Sequence, residues 1–332
     1  MNHPPPPSSA KKRRYTDPFT RNPASVPKGW RNEERDQAIP VDIYTHEGLL
    51  TKCQIEALHF APDQPTDNPR SAKRSAETRS QYLFHSGYLD RMEVQSLGPG
   101  RSTIANVLAP AGVDFVTARL GADRKQVNWR PKIVKNKPTS LYHSILVNDV
   151  RIVFERIERT TDLTLKTWLG ERMLKSKQMA DKIPFLQTGT RKSAKKAPDG
   201  AFALEYPAHE YGDQPVQPAG FFLEVDRGTE SNAVWGEKVT AYEQFRQSGL
   251  PQKYYGVTNF RVLVTVSSPQ RLHNLVKTTL KAGGGHFYWF CLQQQIDIFR
   301  PWGILGEIWM VAGWEGQYSL KTLIPNPKVI AE

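Results

Sequence analysis

The chain has 332 residues, 39% hydrophobic and 23% charged, with a formal net charge of +12. That length allows two domains with sizeable cores at roughly 150 residues each, and the basic balance points to a polyanionic partner, nucleic acid before an anionic membrane surface. Two cysteines, Cys53 and Cys291, exclude a disulfide framework or a cysteine-rich zinc site.

Residues 1–39 run from "PPPP" through "KKRR" to "NEERD". Proline and charge dominate, so the segment reads as a disordered basic arm. It has no apolar signal-peptide core, and no run in the chain nears the ~18 apolar residues of a membrane span. A cytoplasmic protein with no membrane partner is expected.

Residues 40–122 are compactly patterned. "VDIYTHEGLL" spaces Val41, Ile43, Tyr44 and Leu49 as a short helix would. Thr51 stands as an N-cap before "KCQIEALHF", where Ile55, Leu58 and His59 share a face. "SAKRSAETRSQYLFHSGYLDR" then sets Ala72, Ala76 and Leu83 on one side of a basic helix that Gly87 ends, and "YLDRMEV" reads as a strand. "STIANVLAPAGVDFVTARLG" reads as a second extended stretch with a turn at Pro110–Gly112. Helix, helix, basic helix, hairpin is the order of a winged helix-turn-helix, whose third helix enters the major groove. Lys73, Arg74, Arg79 and Gln81 are the candidates to contact double-stranded DNA. The competing reading is a small helical bundle that docks protein.

Residues 123–138 are basic and unpatterned, a linker, and residues 139–325 carry a second domain. "SLYHSILVNDVRIVFERIER" repeats apolar Tyr142, Leu146, Val150, Val153 and Ile157 as an amphipathic helix does. "LTLKTWLGERML" is a strand turning at Gly170, and the lysine-rich stretch to Lys196 is an exposed loop. "APDGAFALEY" and "AGFFLEVD" are strands, and "NAVWGEKVTAYEQFRQSG" is a helix closed by Gly249. The apolar run "FRVLVTVSS" marks a strand buried on both faces. "PQRLHNLVKTTLKAG" is a helix closed by Gly283, and "HFYWFCLQQ" is the last clear strand. A mixed sheet flanked by helices follows, an α/β domain.

Asp199 precedes one strand, and Glu224 and Asp226 end the next. If the two strands pair as a hairpin, Asp199 approaches Glu224 at one sheet edge, where two carboxylates repel unless one is protonated or a cation binds. Mg2+ (or Mn2+) suits such oxygen ligands and can stabilise the charge of a phosphodiester under attack. Strand alternation keeps Asp226 eligible as a further ligand, although Asp-Arg-Gly-Thr is also good turn chemistry. The alternative is a set of solvated acids or a salt bridge to Arg227. Lys238 can supply an amine, with Tyr242 one helical turn further on the same face. Glu155 and Glu171 are candidates for an extra acid, and His143 reads as a partly buried, satisfied histidine. The tryptophans read mainly as core. The eight histidines are scattered, which argues against a tyrosine relaxase, and no Walker loop occurs.

Pro198–Asp199 and Glu224 resemble the motif of the PD-(D/E)XK nucleases, and the element order resembles their common core. "HSILVNDVRIVFE", "WLGE", "PDGAF" and "FFLEVDRGTES", followed by "EK" and Tyr242, resemble the replication-relaxation family of plasmid and mobile-element proteins. That resemblance implies a role in plasmid replication or mobilisation, DNA and replication or mobilisation proteins as partners, and Asp199, Glu224 and Lys238 as a catalytic set of a Mg-dependent DNA endonuclease or nickase. One departure matters: Asp226 stands where the nuclease motif has lysine. If Lys238 does not reach the acids, the domain is a nuclease fold kept for binding, in a regulator or an adaptor.

Overall fold

The computed structural model describes residues 17–63, 69–95, 102–127, 138–175, 197–207, 218–251 and 260–321. The first 16 residues of the expected arm, most of the expected linker and the lysine-rich loop before Lys196 lie outside them.

The chain is ordered earlier than its composition suggests. Helix α1 spans Glu34–Thr45, beginning inside the expected arm. Its N-terminus is closed by Glu33 and Asp36, each side chain accepting from the other's backbone N–H. Asp36 is fully buried and takes the Arg79 guanidinium through Nε at 2.8 Å. Ile39 and Ile43, one turn apart, enter the core. Ahead of α1, Arg21 donates to the carbonyls of Phe84 and Leu89 at 3.0 and 2.9 Å. Tertiary pairing stabilises this segment, which intrinsic propensity alone would leave unfolded.

Strand β1 (Leu49–Thr51) leads into α2 (Lys52–His59). Thr51 is the N-cap as expected: its hydroxyl accepts from Gln54 N–H, and the Gln54 side chain accepts from Thr51 N–H at 2.9 Å. Helix α3 (Pro69–His85) ends at Gly87, whose φ of +83° suits glycine. Strands β2 (Leu89–Gln95) and β3 (Ser102–Leu108) form an antiparallel hairpin, and β1 joins it in the order β1-β3-β2. The expected turn at Pro110–Gly112 is instead the first turn of α4 (Pro110–Leu120). Proline opens a helix well because its missing N–H would have no partner there. A Cβ on Gly112 would stand 2.1 Å from the Tyr88 carbonyl oxygen, so this first turn packs against the residue before β2 only as glycine. A short helix, α5 (Arg124–Val127), lies in the segment read as linker.

The second lobe follows the periodicity closely. It contains α6 (Pro138–Thr160), β4 (Thr164–Gly170), α7 (Glu171–Leu174), β5 (Gly200–Glu205), β6 (Ala219–Asp226) and α8 (Asn232–Gln247). β7 (Phe260–Val266), α9 (Pro269–Lys281) and β8 (Tyr288–Leu292) come next. Two further strands, β9 (Glu307–Val311) and β10 (Tyr318–Ser319), extend the sheet beyond the strand expected to be last. The sheet order is β10-β9-β8-β7-β6-β5-β4, with β6, β7 and β8 parallel and the flanking pairs antiparallel. Val262, Leu263, Val264 and Val266 on β7 are fully buried, as a strand covered on both faces must be. α6 covers one face over Leu223, Leu263 and Trp289, and α8 and α9 cover the other over Phe222, Val264 and Phe290.

Helix α6 also belongs to the first lobe. Leu141 and Ile145 pack on Leu49, Val94 and Val107 of the small sheet. Asn148 Nδ2 donates to the carbonyls of His46 and Leu49, both at 2.9 Å. The Arg156 side chain, 1% exposed, donates to Pro62 O at 2.7 Å and Ile298 O at 2.6 Å. Buried polar groups demand such partners, so the lobes meet through a specific seam. Among the described residues no helix is long and apolar enough to cross a membrane.

Candidate functional site

Sheet register assembles the site. Gly200 at the start of β5 pairs with Gly170 on one side and Leu223 on the other. Asp199, one residue earlier, therefore lies at the end of the sheet between the Glu171 turn and Glu224. Asp199 N–H donates to Leu223 O at 2.9 Å, and Val225 N–H donates to Asp199 Oδ2 at 2.7 Å. From α6 above, His143 Nε2 lies 2.8 Å from Asp199 Oδ1.

Glu224 is held from α8. Lys238 Nζ donates to its Oε2 at 2.8 Å and the Tyr242 hydroxyl to its Oε1 at 2.7 Å. Residues four apart on a helix lie one above the other, so both reach the same carboxylate. Lys238 also pairs with Glu230 at 3.2 Å. Asp199 and Glu224 are 8% and 3% exposed, and they open onto a cleft of about 410 Å³ that His143, Glu171, Arg227 and Lys238 also line.

The electrostatics follow from burial and these contacts. Burial raises the Glu224 pKa to about 7; Asp199 adds to this and Lys238 opposes it. Burial would also raise Asp199, but the charge and hydrogen bond of His143, with help from Lys238, hold it below its ordinary value. Burial works against the charged form of Lys238, yet Glu224, Asp199 and Glu230 together raise its pKa. For His143, too, desolvation is outweighed by Asp199 and the pKa rises. The cleft thus sets the Lys238 ammonium beside two carboxyl groups whose ionisation burial opposes.

Oxygen donors of this kind fit a hard divalent cation, and each carboxylate oxygen keeps a second lone pair beyond the hydrogen bond it accepts. Among the described residues no group of three or more His, Cys, Asp or Glu side chains is set to hold a metal ion. Asp226, expected as a further ligand, is occupied elsewhere. Arg271 on α9 grips it with Nε at 2.8 Å from Oδ1 and Nη2 at 2.7 Å from Oδ2, and Gly228 N–H donates to Oδ1 at 2.7 Å.

The other candidates divide cleanly. Glu155 lies in the lobe seam with His46 at 3.0 Å and Arg151 at 2.7 Å; Glu171 lines the cleft, paired with Lys175. His143 is satisfied as expected, but its partner is Asp199, which places it in the site. Its position on the sheet-facing stripe of α6 was the available signal. Trp235, Trp289 and Trp309 are core, whereas Trp302 is 39% exposed. On α3, Lys73, Arg74 and Gln81 are exposed. Arg79 is already paired: Asp36 and Glu33 hold it, the latter at 3.1 Å, and it ties α3 to α1.

No curated protein and no solved structure matches the chain. The family model described as replication-relaxation matches residues 42–260. That span runs from α1 to the start of β7 and takes in the small sheet, α6 and the Asp199–Glu224–Lys238 cluster. Because it covers more than half of the chain, the protein belongs to the replication-relaxation family.

Proposed function

We propose that the protein binds double-stranded DNA in plasmid or mobile-element replication or mobilisation, in the cytoplasm, and that its α/β lobe is a PD-(D/E)XK-type endonuclease or nickase. The observation that carries this reading is that Asp199, Glu224 and Lys238, from a loop, a strand and a helix, meet in one cleft with the lysine amine 2.8 Å from Glu224. With Asp226 standing at the usual lysine position, α8 supplies the amine instead. Asp199 and Glu224 would hold Mg2+ or Mn2+, which supplies positive charge to a phosphodiester. Lys238 neutralises phosphate charge beside them, Tyr242 orients Glu224, and His143 with Val225 N–H orients Asp199.

For the first lobe, the order α1-β1-α2-α3-β2-β3 with sheet order β1-β3-β2 supports a winged helix-turn-helix. In that reading α3 enters the major groove and presents Lys73, Arg74 and Gln81. The second reading is a DNA-binding regulator that does not cut, or an adaptor that binds replication proteins. It is favoured by the fact that every carboxylate oxygen of Asp199 and Glu224 already accepts from the protein.

Supercoiled plasmid incubated with Mg2+ or Mn2+ separates them. Wild type should yield nicked or linear product, and Asp199→Ala and Glu224→Ala should lose roughly 100-fold or more of that rate. A wild type that shifts DNA in a gel but cuts with neither metal retires the nuclease. A shift that survives Lys73→Ala/Arg74→Ala with unchanged salt dependence retires the groove assignment, because removing each phosphate-binding cation should lower the salt slope by about 1.

A further inference from the structure

We propose that the first lobe carries a separate binding site, a cleft for one nucleotide unit with its phosphate, between α2, α3 and the β2–β3 hairpin. The small sheet has two unlike faces. Leu49, Val94, Ala105 and Val107 meet α6. On the other face, Arg91 pairs across from Asn106, and both face α3. A helix packed on a sheet ordinarily fills that gap with apolar side chains. Here a cleft of about 450 Å³ remains, within the size range of small-ligand sites.

Its lining is chemically specific: Lys52, Glu77, Ser80, Gln81, Arg91 and Asn106. Ser80 is 3% exposed and its hydroxyl has no hydrogen-bond partner. A hydroxyl that deep is costly unless something pairs with it. Lys52 and Arg91 supply two cations against the Glu77 carboxylate, a net positive charge suited to a phosphate. Arg91 is held in place over the Phe84 ring at 4.2 Å and by its bond to Pro18 O at 3.0 Å. Lys52 lies 2.6 Å from Glu77 on a flexible, half-exposed stem, so it can turn to an arriving anion. The Gln81 carboxamide offers the paired donor and acceptor that read a base edge, beside an Asn106 whose Nδ2 already donates to Leu50 O at 3.3 Å, and Glu77 can accept from a sugar hydroxyl or base amino group. None of this depends on the acidic site in the other lobe.

Cys53 lines the cleft and is exposed, whereas Cys291 is fully buried. Maleimide labelling of Cys53 in the full chain therefore reports occupancy. Deoxynucleoside 5′-monophosphates or a short single-stranded oligonucleotide should slow labelling, and inorganic phosphate at the same concentration should do so far less. Protection by the monophosphates assigns a free nucleotide; protection by the oligonucleotide alone assigns one unit of a DNA strand. Lys52→Gln should weaken protection roughly tenfold, and Ser80→Leu, which fills the cleft, should abolish it. The proposal is overturned by no protection from either probe, by equal protection from phosphate, or by undiminished protection in a folded Ser80→Leu. Should Ser80→Leu unfold, Lys52→Gln decides alone, with unchanged protection counting against the site.

Discussion

Glu224 and Asp226 leave the same strand two residues apart, and they are held in opposite ways. Glu224 meets an amine and a phenol on α8, two single-point donors, one to each carboxylate oxygen. Asp226 meets the planar guanidinium of Arg271 in a two-pronged grip, with a turn N–H adding a third bond. The Asp226 hydrogen bonds raise the Arg271 pKa further, so that cation stays charged. The first arrangement leaves a carboxyl whose pKa burial raises to about 7. The second makes a brace that ties the end of β6 to α9. One strand thus carries two buried acids in different company, and Asp226 belongs to a structural brace.

The sharpest way to break this contrast is Arg271→Met. It strands a carboxylate 6% exposed, and should cost about 3–5 kcal/mol in chemical denaturation. Adding Asp226→Asn should restore most of that loss; no restoration would mean Arg271 acts through contacts other than Asp226.

Lys238→Met should cost less, about 1–2 kcal/mol near pH 6, because Glu224 can keep a proton instead. The sign is clear: burial raises the folded pKa of Glu224 to about 7, above its ordinary 4.5, and the lost ammonium was pulling it down. The folded state then binds the extra proton, so the variant's stability deficit should grow as pH rises from 6 to 8. Denaturation curves across that range check it, and a flat deficit contradicts the picture.

Tyr242→Phe is the smallest test. It removes one hydrogen bond to Glu224 and should cost about 1 kcal/mol, with no effect on the Asp226 brace.

Much of the α/β lobe was legible because its helices and strands keep strict periods. Asp199 and Glu224 could be brought together from the hairpin alone, and Lys238 could be offered from the helical spacing to Tyr242. Arg271 could not: nothing local marks a guanidinium 45 residues away as the partner of Asp226. The Arg79 pairing was hidden for the same reason, since nothing local on the basic helix points to the buried Asp36, 43 residues earlier. The first half of α1 was hidden by its acidic start and by Pro40 within it, and Leu49, read with the helix, belongs to β1. β10 was too short, at two residues, to show a period at all.

The shared helix α6 has a consequence for dissecting the molecule. Residues 17–127 look like a portable module, yet alone they would bare Leu49, Val94 and Val107, which Leu141 and Ile145 cover. The same cut would orphan the carbonyls of His46 and Leu49 that Asn148 serves. A cut after α6, at Thr160, spares those contacts and carries His143 along, but it bares Val150, Val153 and Phe154, which the large sheet covers. Grafting the first lobe onto another protein would also export one wall of the acidic cleft.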